Sequence, residues 1–176
     1  MSITVAKSAG FCFGVNRAIN IVNSLLDKNV KVSTLGPIIH NMEVVNELES
    51  RGCKAVDNIY EVEKDATLVI RSHGVPKYVI DKLDENGVKY EDATCPFVKK
   101  IHNIVANPDN KDGIVLIAGN SVHPEVEGII GHCSTECHTF KNSEEIDEIY
   151  NNILKKNNKQ VFVVAQTTFD LSLIHI

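Results

Sequence analysis

The sequence has no tryptophan, and its aromatic content is only 6%. Few flat rings are therefore available to stack on nucleic-acid bases. Positive charge is also short: 18 Lys and Arg against 23 Asp and Glu leave a formal net charge of −5. No basic stripe can neutralise a run of phosphates, which excludes a broad nucleic-acid surface. A small anion held by a few imidazoles and backbone N–H groups is still allowed. No window reaches the length of a membrane span, and Met1-Ser2-Ile3-Thr4-Val5-Ala6-Lys7 has no basic segment leading into an apolar run. A secretory signal and a membrane anchor are thus not expected. Five cysteines, an odd number, fit reduced thiols in the cytoplasm better than a disulfide framework.

What is present is ordinary for a globular α/β protein of this size: 176 residues, 43% hydrophobic and 23% charged. Strand and helix patterns alternate along most of the chain. Strands are expected at Ile3–Lys7, Lys31–Leu35, Thr67–Arg71, Val88–Glu91, Ile114–Ala118, Glu136–Phe140 and Val161–Ala165. Between them run helical patterns through Val15–Leu25, Val44–Leu48, Pro76–Leu83, Phe97–Val105, His123–Ile130 and Ser143–Leu154. Repeated alternation with crossover-length helices implies parallel sheets covered by helices. The expected fold class is α/β, with two small parallel-sheet units divided in the Cys95 helix. The first covers residues 1–95 and the second residues 96–169.

The junction Asp92-Ala93-Thr94-Cys95-Pro96 is the most informative stretch. Proline is tolerated at the first helical position because its missing N–H would have no intrahelical partner. Cys95 then falls at the helix start, where unpaired N–H groups and the helix dipole favour negative charge on sulfur. Such a sulfur is a metal ligand or a nucleophile, or else a small buried thiol that fills space.

Cys12, His40, His73, Cys95, His123 and Thr167 all fall after an expected strand and before or at an expected helix. In parallel α/β folds, ligands bind outside the carboxyl ends of the strands. Two cysteines at helix starts suit a soft metal, iron in a sulfur cluster or zinc. Three histidines with glycine-rich turns and helix N-termini suit an anion, phosphate in particular. Glu125 offers a carboxyl for proton transfer, and Thr167 a hydroxyl to relay that proton or hold a substrate hydroxyl. His102 reads as a partly exposed helix residue, and Cys53 as a small buried one.

Six motifs occur in order: Gly10-Phe11-Cys12-Phe13-Gly14-Val15, Ile39-His40-Asn41, Arg71-Ser72-His73-Gly74-Val75, Asp92-Ala93-Thr94-Cys95-Pro96, Gly119-Asn120-Ser121-Val122-His123-Pro124-Glu125 and Gln166-Thr167-Thr168. Together they resemble the LytB family, the hydroxymethylbutenyl diphosphate reductases of isoprenoid biosynthesis. The resemblance runs to about Phe169. It implies a cloverleaf of three α/β units around a [4Fe–4S] cluster held by three cysteines, with one iron left open. Cys12 and Cys95 match two of those ligands. It further implies that His40, His73 and His123 hold the diphosphate, that Glu125 delivers a proton, and that Thr167 belongs to the same hydrogen-bond network. The implied reaction, the last step of the methylerythritol phosphate pathway, removes the hydroxyl of 4-hydroxy-3-methylbut-2-enyl diphosphate as water with two electrons. Isopentenyl and dimethylallyl diphosphates result. The implied electron donor is a ferredoxin or flavodoxin.

The chain departs from that family after Thr168. The family continues into a third α/β unit that carries the third cluster cysteine, whereas here the sequence reads Phe169-Asp170-Leu171-Ser172-Leu173-Ile174-His175-Ile176. Residues 170–176 are expected to be a non-native tail, and the chain as given is expected to lack activity. Two other readings stand beside the reductase. His123-x-Glu125 followed by Cys133 and Cys137 faintly matches the arrangement of a deaminase-type zinc hydrolase. A metal-free α/β module binding phosphorylated ligands needs only the histidines and helix N-termini.

Overall fold

The computed structural model describes residues 3–4, 6, 9–107, 112–156 and 158–170. The chain divides into two compact units. The first comprises Met1–Ser72 with Val88–Cys95, and the second His73–Gly87 with Pro96–Ile176. The chain therefore leaves the first unit at Ser72, returns to it at Val88, and leaves it again after Cys95. Segment 73–87, placed with residues 1–95 in the sequence reading, packs with the second unit.

In the first unit, helix α1 (Phe13–Asp27) precedes strand β1 (Val32–Leu35). Helix α2 (Met42–Ser50) then leads to β2 (Cys53–Val56), and β3 (Thr67–Ile70) and β4 (Tyr90–Asp92) complete the sheet. The strand order is β2-β1-β3-β4, and every pairing is parallel. Strand β3, Thr-Leu-Val-Ile, is buried throughout, as expected of a central strand covered on both faces. Ala18 and Val22 of α1 and Leu48 of α2 pack with Val32, Ile38, Ile39, Val69 and Ala93 to form the core. Helix α2 starts where the Asn41 side chain accepts the Val44 N–H at 3.1 Å, a side-chain cap that satisfies one of the helix's unpaired donors.

The strand expected at Ile3–Lys7 lies partly outside the described residues: residues 3, 4 and 6 form no strand, and Val5 and Lys7 are not described. A β-like run forms a strand only when another strand takes up its backbone groups. Conversely, β2 was missed. As an edge strand it buries only its two end residues, Cys53 and Val56, and so carries little apolar pattern. Cys53 is buried, as expected, but from a strand rather than a helix end.

In the second unit, helices α3 (Lys77–Glu85), α4 (Pro96–Ala106), α5 (Pro124–Ile130) and α6 (Ser143–Asn152) surround strands β5 (Ile114–Ala118), β6 (Glu136–Phe140) and β7 (Val161–Ala165). The order is β6-β5-β7, again all parallel. Strand β5 sorts its side chains by parity. Val115 and Ile117 pack with Val105, Val126 and Ile129 of α4 and α5. Ile114, Leu116 and Ala118 pack on the other face with Phe140, against Ile146 and Ile149 of α6. The same period of two that makes a strand alternate accounts for both layers.

Helix α4 buries Val98, His102 and Val105, one turn-related face. Phe97 and Ile104, apolar residues of the same helical pattern, are 67% and 43% exposed. His102, expected to be partly exposed, is buried and stacks on His132 with ring centroids 4.0 Å apart. Gly128 of α5 makes room for it, since a Cβ there would meet His102 Nε2 at 3.2 Å. Helix α5 also ends tightly against α3. Lys77 N–H reaches Gly131 O at 3.3 Å, and a Cβ on Gly131 would fall 2.4 Å from Pro76 Cβ.

Candidate active site

The first unit holds Cys12, His40 and Cys95 of the expected residues. Cys12 is the N-cap of α1 and is exposed, and its backbone oxygen accepts the Asn16 N–H at 3.0 Å. Cys95 is half-buried at the carboxyl end of β4. Its N–H donates to Ser72 O at 2.9 Å, and Ala93 N–H donates to Ile70 O at 3.1 Å, which extends the β3–β4 ladder to the thiol. Two further contacts fix this segment. Arg17 of α1 donates to Asp92 O at 3.2 Å and to Thr94 O at 3.4 Å. Asp92 Oδ1 accepts the Thr94 N–H at 2.9 Å, closing an Asx turn.

Gly14 brings the start of α1, and with it Cys12, close to Cys95. A Cβ at Gly14 would stand 2.6 Å from Cys95 Sγ and 3.0 Å from its Cβ. No larger residue fits between α1 and that thiol. His40, at the end of the turn after β1, is exposed. Before it, Gly36 takes φ +69°, and a Cβ there would come within 3.0 Å of the Arg71 guanidinium. Glycine meets both demands at that turn. A groove of about 510 Å³ runs along α1, lined by Phe13, Asn16, Arg17, Asn20, Ser24 and Lys28 among others. None of the expected site residues lines it.

The second unit holds His73, His123, Glu125 and Thr167. His123 is the N-cap of α5, and its Nδ1 accepts the Glu125 N–H at 3.1 Å. That bond takes the Nδ1 lone pair, so the neutral ring carries its proton on Nε2 and offers a donor there. The His73 ring meets His123 edge-to-face, with centroids 5.6 Å apart. Glu125 is 2% exposed. Its Oε1 accepts the Thr167 N–H at 2.6 Å and its Oε2 accepts the Thr167 hydroxyl at 2.9 Å. Thr167 itself, just beyond β7, is exposed. A buried carboxylate is thereby joined by one hydroxyl to the surface of its unit.

Gln166 sets this geometry and was not singled out from the sequence. It is buried, its Oε1 accepts the Asn120 N–H at 3.4 Å, and its Nε2 donates to Thr168 Oγ1 at 2.9 Å. It therefore ties the turn after β5 to the turn after β7. Arg17 was missed in the same way. Both act across long sequence separations that no local pattern records.

The zinc arrangement is not formed. His123 spends Nδ1 on its own helix, Glu125 is held by Thr167, and Cys133 and Cys137 pack against the apolar cluster of α4, α5 and β5. Among the described residues no three of His, Cys, Asp and Glu stand together as a metal-binding group. For a [4Fe–4S] cluster the fit is partial. Cys12 and Cys95 supply two thiols of the right softness at one corner of the first unit.

Each unit is an α/β arrangement of parallel strands that carries its thiol, imidazole or carboxyl groups at strand ends and helix starts. The chain belongs to the LytB family: the family model described as LytB protein matches residues 3–175. That match extends past Phe169, where the sequence reading ended the resemblance. Two curated relatives are both 4-hydroxy-3-methylbut-2-enyl diphosphate reductases. One, from Alkaliphilus oremlandii, is 42% identical over 177 residues. The other, from Clostridioides difficile, is 39% identical over 174 residues. Each match covers 98% of this chain, and 60% and 61% of the respective relative. Among solved structures, (E)-4-hydroxy-3-methyl-but-2-enyl diphosphate reductase superposes with a TM-score of 0.83 at 36% identity, covering 98% of this chain and 60% of that one. The corresponding Plasmodium falciparum reductase gives 0.84 at 29% identity, covering 96% and 52%. The chain thus spans about 60% of the length of the curated relatives it matches. Among the described residues no helix is long and apolar enough to cross a membrane.

Proposed function

We propose that these two units belong to a reductase acting on 4-hydroxy-3-methylbut-2-enyl diphosphate, an activity assigned to a chain of the relatives' length. Support comes from membership of the LytB family and from the names of the relatives. The observation that carries the reading furthest is the Glu125–Thr167 pair. A carboxylate buried from water, with one oxygen on a hydroxyl at the surface of its unit, is placed to hold a proton and pass it through that hydroxyl.

The other residues divide the work. His123, with Nε2–H as its free donor, binds phosphate oxygens, and His73 and His40 add imidazole donors for the same diphosphate. Cys12 and Cys95 would hold the cluster beside a third thiolate, with Gly14 and Arg17 fixing the Cys95 end. When bound, the cluster supplies low-potential electrons and an open, Lewis-acidic iron. A ferredoxin- or flavodoxin-type protein is the electron donor in this reading.

The test uses protein expressed from the intact locus, assayed anaerobically with the substrate and a reduced viologen dye. Conversion to isopentenyl and dimethylallyl diphosphates is expected, and Cys12→Ser or Cys95→Ser should lose both iron and turnover. If both variants bind the diphosphate as the parent does and the parent holds no iron, the reductase reading fails. The metal-free phosphate-binding module then replaces it.

A further inference from the structure

The turns that follow β5 and β7 are joined twice. One join is the Glu125–Thr167 pair, to which the proton is assigned above. The other is made by Gln166, a buried amide that does not titrate. Its backbone is pinned on both sides: its N–H donates to Ala118 O at 2.8 Å, and its C=O accepts the Phe169 N–H at 2.9 Å. Its side chain lies along Gly119, just beyond β5. A Cβ there would stand 3.1 Å from both Gln166 Cβ and Gln166 Oε1, and 2.7 Å from Val126 Cγ2. The missing side chain is what admits the amide.

The amide is held at both ends. Oε1 accepts the Asn120 N–H at 3.4 Å, and Nε2 donates to Thr168 Oγ1 at 2.9 Å. A backbone N–H can only donate, so Asn120 fixes which end of the amide is oxygen. Asn120 in turn shapes the approach to α5. Its Oδ1 accepts the Val122 N–H at 3.3 Å, and its backbone O accepts the His123 N–H at 2.9 Å. His123 Nδ1 accepts the Glu125 N–H, and Glu125 meets Thr167, the residue after Gln166. Gln166, Asn120, His123, Glu125 and Thr167 thus close one ring of bonds within the second unit.

We propose, resting on the proton role given above to Glu125, that Gln166 is a positioning residue for that step: it holds Thr167 against Glu125 while the charge of Glu125 changes. With Glu125 ionised, the Thr167 N–H and hydroxyl both donate to it. Hydrogen bonds to a charged oxygen are about twice as strong as neutral ones. Once Glu125 takes a proton that advantage is lost, and the bond between Oε2 and the Thr167 hydroxyl must reverse or be remade. The pair is therefore weakest as a clasp in the state through which the proton passes. An amide keeps its donors and its acceptor in both states. The bonds of Gln166 to Asn120 and Thr168 carry the two turns through the change, and Thr167 stays in reach for the return of the proton.

The experiment has two arms. Glu125→Gln stands in for the protonated carboxyl, with the same shape and no charge. Gln166→Met keeps the length of the side chain without its polar atoms. In the 176-residue chain, amide hydrogen exchange at Thr167 is followed by NMR with and without Gln166→Met, in the parent and in Glu125→Gln. Loss of the clasp should speed Thr167 N–H exchange about threefold in the parent and about tenfold or more in Glu125→Gln, with the amides of β5 unchanged. Thr168 is exposed, so Thr168→Val removes only the acceptor of Nε2 at a tolerant position. It should show the same inequality with smaller factors, and Thr168→Ser should restore the parent; this variant decides the matter if Gln166→Met does not fold. An equal factor in the two backgrounds is the mark of a merely structural role and overturns the proposal. So does exchange at Thr167 that is unchanged in both. In the second arm, a reductase expressed from the intact locus, Gln166→Met should lower kcat by about tenfold or more with KM within about threefold. Normal kcat there also overturns the proposal. A parent enzyme without reductase activity sinks the functional reading instead, and the exchange arm still decides whether Gln166 holds Thr167 when Glu125 is neutral.

Discussion

Both carboxylate oxygens of Glu125 are taken by one residue, Thr167: its N–H donates to Oε1 at 2.6 Å and its hydroxyl to Oε2 at 2.9 Å. The bond therefore does two jobs. It fixes the turn after β7 to the first turn of α5, and it satisfies a charge that is otherwise 2% exposed.

The two jobs separate by substitution. In Glu125→Gln the amide oxygen can still accept the Thr167 N–H, while the amide nitrogen donates to the hydroxyl, which rotates to accept. The fold should survive, with a melting temperature within a few degrees of the parent. In Glu125→Ala the Thr167 N–H loses its acceptor, and a cost of about 1–3 kcal/mol is expected. In a reductase of full length, Glu125→Gln should leave substrate binding near normal and slow turnover by about a hundredfold or more. Calorimetric melting of both variants and single-turnover kinetics of Glu125→Gln check these outcomes. Near-normal turnover would remove Glu125 from the proton role.

How much of this was legible in the sequence depends on the range of the interaction. The six helices were, because apolar residues recurring every three or four positions record a local period. Strand β5 was, because a strand buried on both faces reads as an unbroken apolar run. Strand β2 was not, because an edge strand burying only Cys53 and Val56 has no such run. The positions of His40, His73, Cys95, His123 and Thr167 followed from their place after expected strands. The contacts of Arg17 with Asp92 and Thr94, 75 and 77 residues away, did not. Nor did the bond of Gln166 to Asn120, 46 residues back. Pattern specifies elements and their ends; it does not specify which distant backbone group an arginine or glutamine will meet. The face of α4 shows the same limit. Phe97 fits the helical period, but Val98, His102 and Val105 are the residues this helix buries.

Gly14 gives a prediction of opposite sign to helix propensity. Alanine in the body of a helix is favoured over glycine by about 1 kcal/mol. At Gly14, however, the new Cβ meets Cys95 Sγ at 2.6 Å and Cβ at 3.0 Å. Overpacking of this kind costs about 1–3 kcal/mol, so Gly14→Ala should lower stability despite the propensity gain. Cys95→Ala removes the nearer of the two contacts. Gly14→Ala should therefore be better tolerated in a Cys95→Ala background, with a coupling of about 1 kcal/mol in a double-mutant cycle. Additive effects in urea unfolding would show that the helix and the thiol are not in contact.

Gly131 tests the packing of α5 on α3. Its backbone is α-helical, with φ −67° and ψ −10°, so alanine brings no conformational penalty. The obstacle is contact alone: a Cβ would stand 2.4 Å from Pro76 Cβ and 2.8 Å from its Cα. Proline is rigid and Cα is backbone, so neither yields easily. Gly131→Ala should destabilise the second unit by about 2–3 kcal/mol, whereas alanine at a position with open space would not. The same substitution breaks the close approach that lets Lys77 N–H reach Gly131 O. Hydrogen exchange at Lys77 should therefore quicken along with the fall in stability, and unchanged protection there would contradict the packing.

Cys53 supplies the pH dependence. Burial pushes its thiol up to about 11 from an ordinary value near 9, and the charge of Glu49 adds to the effect, while a hydrogen bond with Thr34 opposes it. The folded protein thus holds this proton more tightly than the unfolded chain. The stability tied to it is fully present below pH 9, declines as pH rises from 9, and is lost by about pH 11. Unfolding of the wild-type chain and of Cys53→Ala should therefore be compared at pH 8, 9.5 and 11. Lysines and tyrosines that titrate in the same range are common to both proteins and cancel in the difference. What remains should move against the wild type by about 2 kcal/mol across that window. The thiol should also alkylate more slowly at pH 8 than that of the exposed Cys12, since its thiolate there is scarce and its sulfur is enclosed by the core of the first unit. Parallel stability curves for the two proteins would mean that the folded and unfolded thiols titrate alike, and that the core around β2 admits water to the sulfur.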